Sequence, residues 1–167
     1  MPSNRPSGFS LIELVVTLAV LATLVALALP SFQETLRRNR VATATNELLA
    51  SLALARTEAL KGLGPAGLCA SIDGATCATS TDWAAGWLVW REQRSADGIE
   101  RSVVRYIQAR GKVAVTGPQG GIEFTTQGRS RDGATQIGLA PDDVAAPARC
   151  VVVGATGQAR AKQEACA

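Results

Sequence analysis

The chain has 167 residues, a formal net charge of +3 and no histidine. So mild a positive balance does not argue by itself for a nucleic-acid partner. The missing imidazole removes the usual Ser-His-Asp and Cys-His catalytic arrangements, and four cysteines without CxxC spacing point to no zinc site.

In chain order, a short polar leader, residues 1–8, ends in Gly8 and precedes an apolar run from Phe9 to Leu29. Glu13 is the only ionisable side chain in that run, which contains no Gly or Pro. As a helix it spans roughly 30 Å, the thickness of a bilayer's hydrocarbon core. A secretory signal peptide loses its apolar region on cleavage; here the apolar segment survives a cut after Gly8. Gly8, Phe9 and Glu13 four residues later resemble the class III signal of the type IV pilin-like family, and Pro30 stands where many such proteins carry a proline. The resemblance implies cleavage between Gly8 and Phe9 by a prepilin peptidase, and N-methylation of Phe9. It also implies a single-pass protein of the inner membrane whose C-terminal domain is periplasmic. A carboxylate in lipid costs about 2–3 kcal/mol or more and needs a partner. The amine freed at Phe9, on the same or a neighbouring chain, is the natural one, which makes Glu13 the candidate assembly residue.

Residues 30–62 read as a second, amphipathic half of the same helix, kinked at Pro30. Phe32, Leu36, Ala44, Leu48, Leu52, Ala55 and Ala59 form an apolar stripe. Arg37, Arg38, Asn39, Arg40, Glu47, Arg56 and Glu58 lie largely off it, and Lys61-Gly62 reads as the stop. Arg37, Arg38 and Arg40 follow the apolar run whereas only Arg5 and the amino terminus precede it, so the positive-inside rule alone puts the C-terminus in the cytoplasm. The cysteines and the family resemblance argue for the opposite side.

Residues 63–167 read as a β-rich globular domain. The expected strands are Ala66–Ile72, Gly86–Glu92, Arg101–Ala109, Lys112–Thr116, Gly121–Thr126, Thr135–Leu139, Ala148–Gly154 and a weak Ala159–Lys162. Turn signals such as Asp73-Gly74 and Ser95-Ala96-Asp97-Gly98 separate several of them. Trp87 and Val89 alternate with Leu88 and Trp90, so this strand is apolar on both faces and belongs in the centre of a sheet. Cys69, Cys77, Cys150 and Cys166 allow three pairings; Cys69–Cys77 and Cys150–Cys166 are favoured because each pair brackets a short, turn-rich segment. Asp142-Asp143, on a Pro-flanked loop, reads as a solvated acidic pair.

Three stretches resemble the GspH/FimT group of minor pilins and pseudopilins. They are Cys69-Ala70-Ser71-Ile72-Asp73-Gly74 closing on Cys77, Trp83-Ala84-Ala85-Gly86-Trp87-Leu88-Val89, and Arg149-Cys150-Val151-Val152-Val153 through Gly157 to Cys166. The resemblance implies an α+β, pilin-like fold, with one long N-terminal helix packed on an antiparallel β-sheet. It implies a structural subunit of a type II secretion pseudopilus or a type IV pilus, with other pilins as partners and no cofactor.

The basic turns raise an alternative reading, a DNA-binding minor pilin for DNA uptake in natural transformation. Some FimT-type proteins bind DNA through Gly-Arg-x-Arg in the C-terminal tail, where this chain reads Gly157-Gln158-Ala159-Arg160 and lacks the first arginine. Gly128-Arg129-Ser130-Arg131 has the right residues at an earlier place. Arg129, Arg131, Arg160 and Lys162 are therefore the candidate nucleic-acid contacts, of the phosphate-neutralising kind.

Overall fold

A computed structural model describes residues 10–62, 64–95, 98–108, 111–142 and 148–167. One helix, α1, runs Leu11–Leu60 with Pro30 inside it. Eight strands follow: β1 (Ala66–Ala70), β2 (Gly86–Ser95), β3 (Gly98–Gln108), β4 (Val113–Thr116), β5 (Ile122–Phe124), β6 (Thr135–Pro141), β7 (Arg149–Val153) and β8 (Ala159–Lys162). The chain forms two compact units, Met1–Leu36 and Arg37–Ala167. In the first, the helix is assigned without a break through Pro30, and its apolar side chains from Leu11 to Leu29 are exposed.

The second unit holds two antiparallel four-stranded sheets, in the orders β3-β2-β1-β5 and β4-β6-β7-β8. The antiparallel β-sheet domain expected from the sequence is divided between two sheets. The division arises because β5 returns to pair with β1 while β6 pairs with β4, and no local pattern encodes these non-sequential pairings.

The helical stretch of this unit buries Val41, Ala44, Thr45, Leu48, Ser51, Leu52, Ala55, Glu58 and Ala59. Their spacing of three and four draws one stripe along the helix. Trp87 and Val89 from the first sheet and Ile137, Leu139, Val151 and Val153 from the second share its core. Alternation gives β2 a second apolar face, where Leu88 and Trp90 cluster with Cys69 and Tyr106. The strand is accordingly internal, between β3 and β1.

Several expectations are corrected. Phe32 and Leu36 are exposed, and the buried stripe starts at Val41. Glu58, placed off the stripe by its charge, is buried within it. Its two carboxylate oxygens accept from Lys61 Nζ and from Arg91 at 3.2 Å, and Arg91 Nε donates on to Ser102 Oγ at 3.3 Å. Burial is tolerated because the charge is met on both sides. The β2–β3 hairpin is longer than expected, with Glu92 opposite Arg101 and Arg94 opposite Ile99. This end is solvated, so it carries no apolar alternation to read. β1 stops at Ala70, because Ser71 turns into the 71–77 loop.

Buried or bonded carboxylates give the domain a pH dependence. Hydrogen bonds from Lys61 and Arg91 hold the Glu58 carboxyl below its usual range against the opposing effect of burial. Asp73 is depressed further, chiefly by the Thr76 and Ala75 amides, each 2.9 Å from Oδ1. Burial raises Glu123, with Arg131 opposing. A depressed acid contributes stability that is present above its unfolded pKa, about 4, and is lost as pH falls through its folded value. The raised Glu123 has the opposite sign. Thermal melts followed by circular dichroism should therefore show a midpoint falling between pH 5 and pH 2. Asp73→Asn and Glu58→Gln should each flatten that profile; an unchanged slope in both would refute these assignments.

Candidate functional site

The apolar half of α1 is the first candidate. Its most apolar window has a mean hydropathy of 2.6, and by length and composition it can cross a membrane. Ser10 caps the helix: its Oγ accepts from the Glu13 amide at 3.2 Å. Ser10-Leu11-Ile12-Glu13 has the spacing of a capping box, a signal legible in the sequence. The two polar side chains further along bury no unmet group, since Thr17 Oγ1 donates to the Leu14 carbonyl at 2.9 Å and Thr23 Oγ1 to that of Val20 at 2.7 Å. Glu13 is left as the exposed charge of an otherwise apolar surface, in the first turn where the helix dipole favours it. Gly8 and Phe9 lie outside the described residues.

Two disulfides brace the β-domain, Cys69–Cys77 and Cys150–Cys166, closing loops with sequence separations of 8 and 16. The first encloses the Asp73 turn. The second fastens the end of the chain to β7, beside Gly138 of β6. On the loop-entropy account such closures stabilise by roughly 2.5–3 kcal/mol each. Trp83 and Trp87 are fully buried. Trp87 Nε1 donates to Ser51 Oγ at 3.0 Å, fixing β2 on the helix, and Trp83 covers Gly117.

The four candidate basic residues have unequal surroundings. All four are exposed, and Arg131 pairs with Glu123 at 2.8 Å and Lys162 with Glu164 at 3.0 Å. The structure does bring their turns together. Gly128 and Gly157, both at positive φ, sit so close that a Cβ on Gly157 would collide with the Gly128 carbonyl. Arg56 bridges the pair, with Nε donating to the Gly128 carbonyl at 2.9 Å and Nη2 to that of Thr156 at 3.3 Å. Sequence reasoning gave Arg56 no role; an arginine reaching two carbonyls far along the chain leaves no periodic trace. Asp142 is exposed at the end of β6, and Asp143 lies outside the described residues. Among the described residues there is no cluster of three or more potential metal ligands.

The profile of Type II transport protein GspH matches residues 44–157. The chain belongs to the GspH family. The prokaryotic N-terminal methylation motif matches residues 3–29 of this GspH-family chain, ahead of the domain match. None of the curated proteins matches it. Among solved structures it is similar to the type IV minor pilin FimU of Pseudomonas aeruginosa, at 18% identity and a TM-score of 0.57, over 75% of this chain and 90% of that one. It is also similar to the minor pseudopilin EpsH of the type 2 secretion system of Vibrio cholerae, at 12% identity and a TM-score of 0.52, over 74% and 97%. These likenesses show the fold: one long N-terminal helix and antiparallel sheets, pilin-like and α+β. The GspH family marks the chain as a structural subunit of the minor pilin or pseudopilin kind. Its apolar helix and N-terminal motif fit anchoring in the inner membrane.

Proposed function

We propose that this protein is a minor pseudopilin or pilin matured by a prepilin peptidase, which cuts between Gly8 and Phe9 and leaves Phe9 N-methylated. Its apolar helix is held in the inner membrane with residues 63–167 in the periplasm, and is then drawn into a filament or its tip complex beside other pilins. The observation that carries this reading is the lone Glu13 at the capped start of an exposed apolar helix. In lipid or in a filament core that carboxylate requires a cation, and the amine freed at Phe9 supplies one. Two disulfides in the β-domain support an oxidising compartment for it.

Mass spectrometry of the membrane-extracted protein should find a chain that starts at methylated Phe9. A protein still carrying Met1 to Gly8 in cells with an active processing peptidase would refute the proposal. Glu13→Ala should insert normally yet enter the assembly at least about tenfold less, the scale of an intramembrane charge left without its role. Undiminished incorporation would remove Glu13 from the assembly step.

A second reading, a DNA receptor on a pilus, has one observation in its favour. The turn carrying Arg129 abuts the turn that leads into Arg160. It ranks second because Glu123 and Glu164 already meet the charges of Arg131 and Lys162.

A further inference from the structure

The three arginines that follow the apolar run, Arg37, Arg38 and Arg40, contradict the charge rule for membrane topology if the β-domain is periplasmic. The subunit role gives them no task. The structure places one of them at a cavity. Arg38 and Val41 of α1, Ala148 and Arg149 at the start of β7, and Gln163 near the C-terminus line a space of about 340 Å³. Two guanidinium-bearing residues therefore share one cavity, and no acidic residue is among the described residues that line it.

The position of Arg149 follows from the pleat. Val151 and Val153 of β7 point into the core, so Arg149, two residues before Val151, falls on the same side of the strand, at its end. It is partly buried, and among the described residues it makes no ion pair. Arg40 and Arg37 stand on the same helix within three residues of Arg38. A planar fork of donors on each of two arginines is suited to a phosphate monoanion or diester. Gln163 adds neutral donor and acceptor capacity to the lining.

Chain position says which phosphate. Arg38 stands nine residues beyond Leu29, the last residue of the apolar run, on the side the β-domain occupies. A subunit waiting in the bilayer thus keeps these arginines next to the headgroup layer. Nucleic acid, by contrast, would meet the exposed Arg129, and Arg160 of β8, more readily than a partly enclosed cavity. We infer that Arg38 and Arg149 form a binding site for the phosphate of an anionic phospholipid headgroup, occupied while the subunit is held in the membrane. This rests on the membrane-held stage proposed above. It gives one of the three arginines, Arg38, a role as a lipid ligand.

The test uses the full matured chain, extracted in a mild detergent and offered phosphatidylglycerol or phosphatidylcholine, with retained lipid counted by native mass spectrometry. Wild type should retain phosphatidylglycerol at least about tenfold better than phosphatidylcholine, as expected when charge-assisted contacts act. The double variant Arg38→Gln, Arg149→Gln should lose that preference, while Arg129→Gln with Arg131→Gln should keep it. Should the double variant fail to fold by circular dichroism, Arg38→Gln alone is measured and should weaken the preference by a smaller factor. Equal retention of both lipids by wild type, or a preference untouched by the substitutions, overturns the inference. So does displacement of the lipid by low-millimolar inorganic phosphate, which would mark a general oxyanion pocket. Loss of a low-salt DNA gel shift in the double variant, with lipid retention unchanged, would assign the pair to nucleic acid instead and also overturns it. Carbonate extraction separates the two levels. A chain released from membranes defeats the anchored-subunit reading, whereas a chain that stays without headgroup preference defeats this inference alone.

Discussion

Trp87→Ala is expected to destabilise the β-domain by about 3–5 kcal/mol, the usual cost of removing a large aromatic from a packed core. Trp87 is fully buried in β2, opposite the helix stripe that contains Leu48, Leu52 and Ala55. Its truncation opens a void at the centre of the core that both sheets share. Against a typical domain stability of 5–15 kcal/mol, the loss is a large fraction of the total. Urea or thermal unfolding followed by tryptophan fluorescence and circular dichroism would measure it. Trp87→Phe separates the ring from the hydrogen bond. Ser51 Oγ keeps its own bond to the Glu47 carbonyl at 2.7 Å and loses only the donor from Nε1, so that part should cost about 1 kcal/mol. A cost below about 1 kcal/mol for the alanine variant would mean that the helix and β2 are not packed as described.

Gly157→Ala should cost about 2–4 kcal/mol, an unusual amount for one methyl group at the edge of a domain. Two effects add. Gly157 has φ +77, where an alanine is disfavoured by about 1–2 kcal/mol. Its Cβ would also strike the Gly128 carbonyl, the acceptor for Arg56 Nε. Moving that carbonyl loosens a charge-assisted bond worth roughly 1.5–3 kcal/mol. Gly133→Ala is the control. Its φ is +79, but nothing lies within 4 Å of the added atom, so only the conformational part should appear. Equal losses in the two variants would show that the contact between the Gly128 and Gly157 turns contributes nothing.

What the sequence yields here depends on whether a feature is local. The Ala44 to Ala59 stripe and the two-faced strand around Trp87 are written in spacings of four, three and two, and the structure shows both. The capping serine is equally local. The division into two sheets is not, because the β1–β5 and β4–β6 pairings depend on which strand ends meet after the core collapses. Glu58 misled the reading in the other direction. A carboxylate on a helix reads as solvated, and only the approach of Arg91 from β2 makes its burial tolerable. Arg56 and the cavity at Arg149 were invisible for the same reason, since each is defined by partners distant in the chain.

Arg56 extends from the helix to a loop after β5 in one sheet and to the turn between β7 and β8 in the other. The same helix surface backs both sheets. Neither half can therefore melt alone, because the first to loosen strips the second of its backing. Denaturation should be all-or-none, and a force pulling on the helix would load the whole domain together.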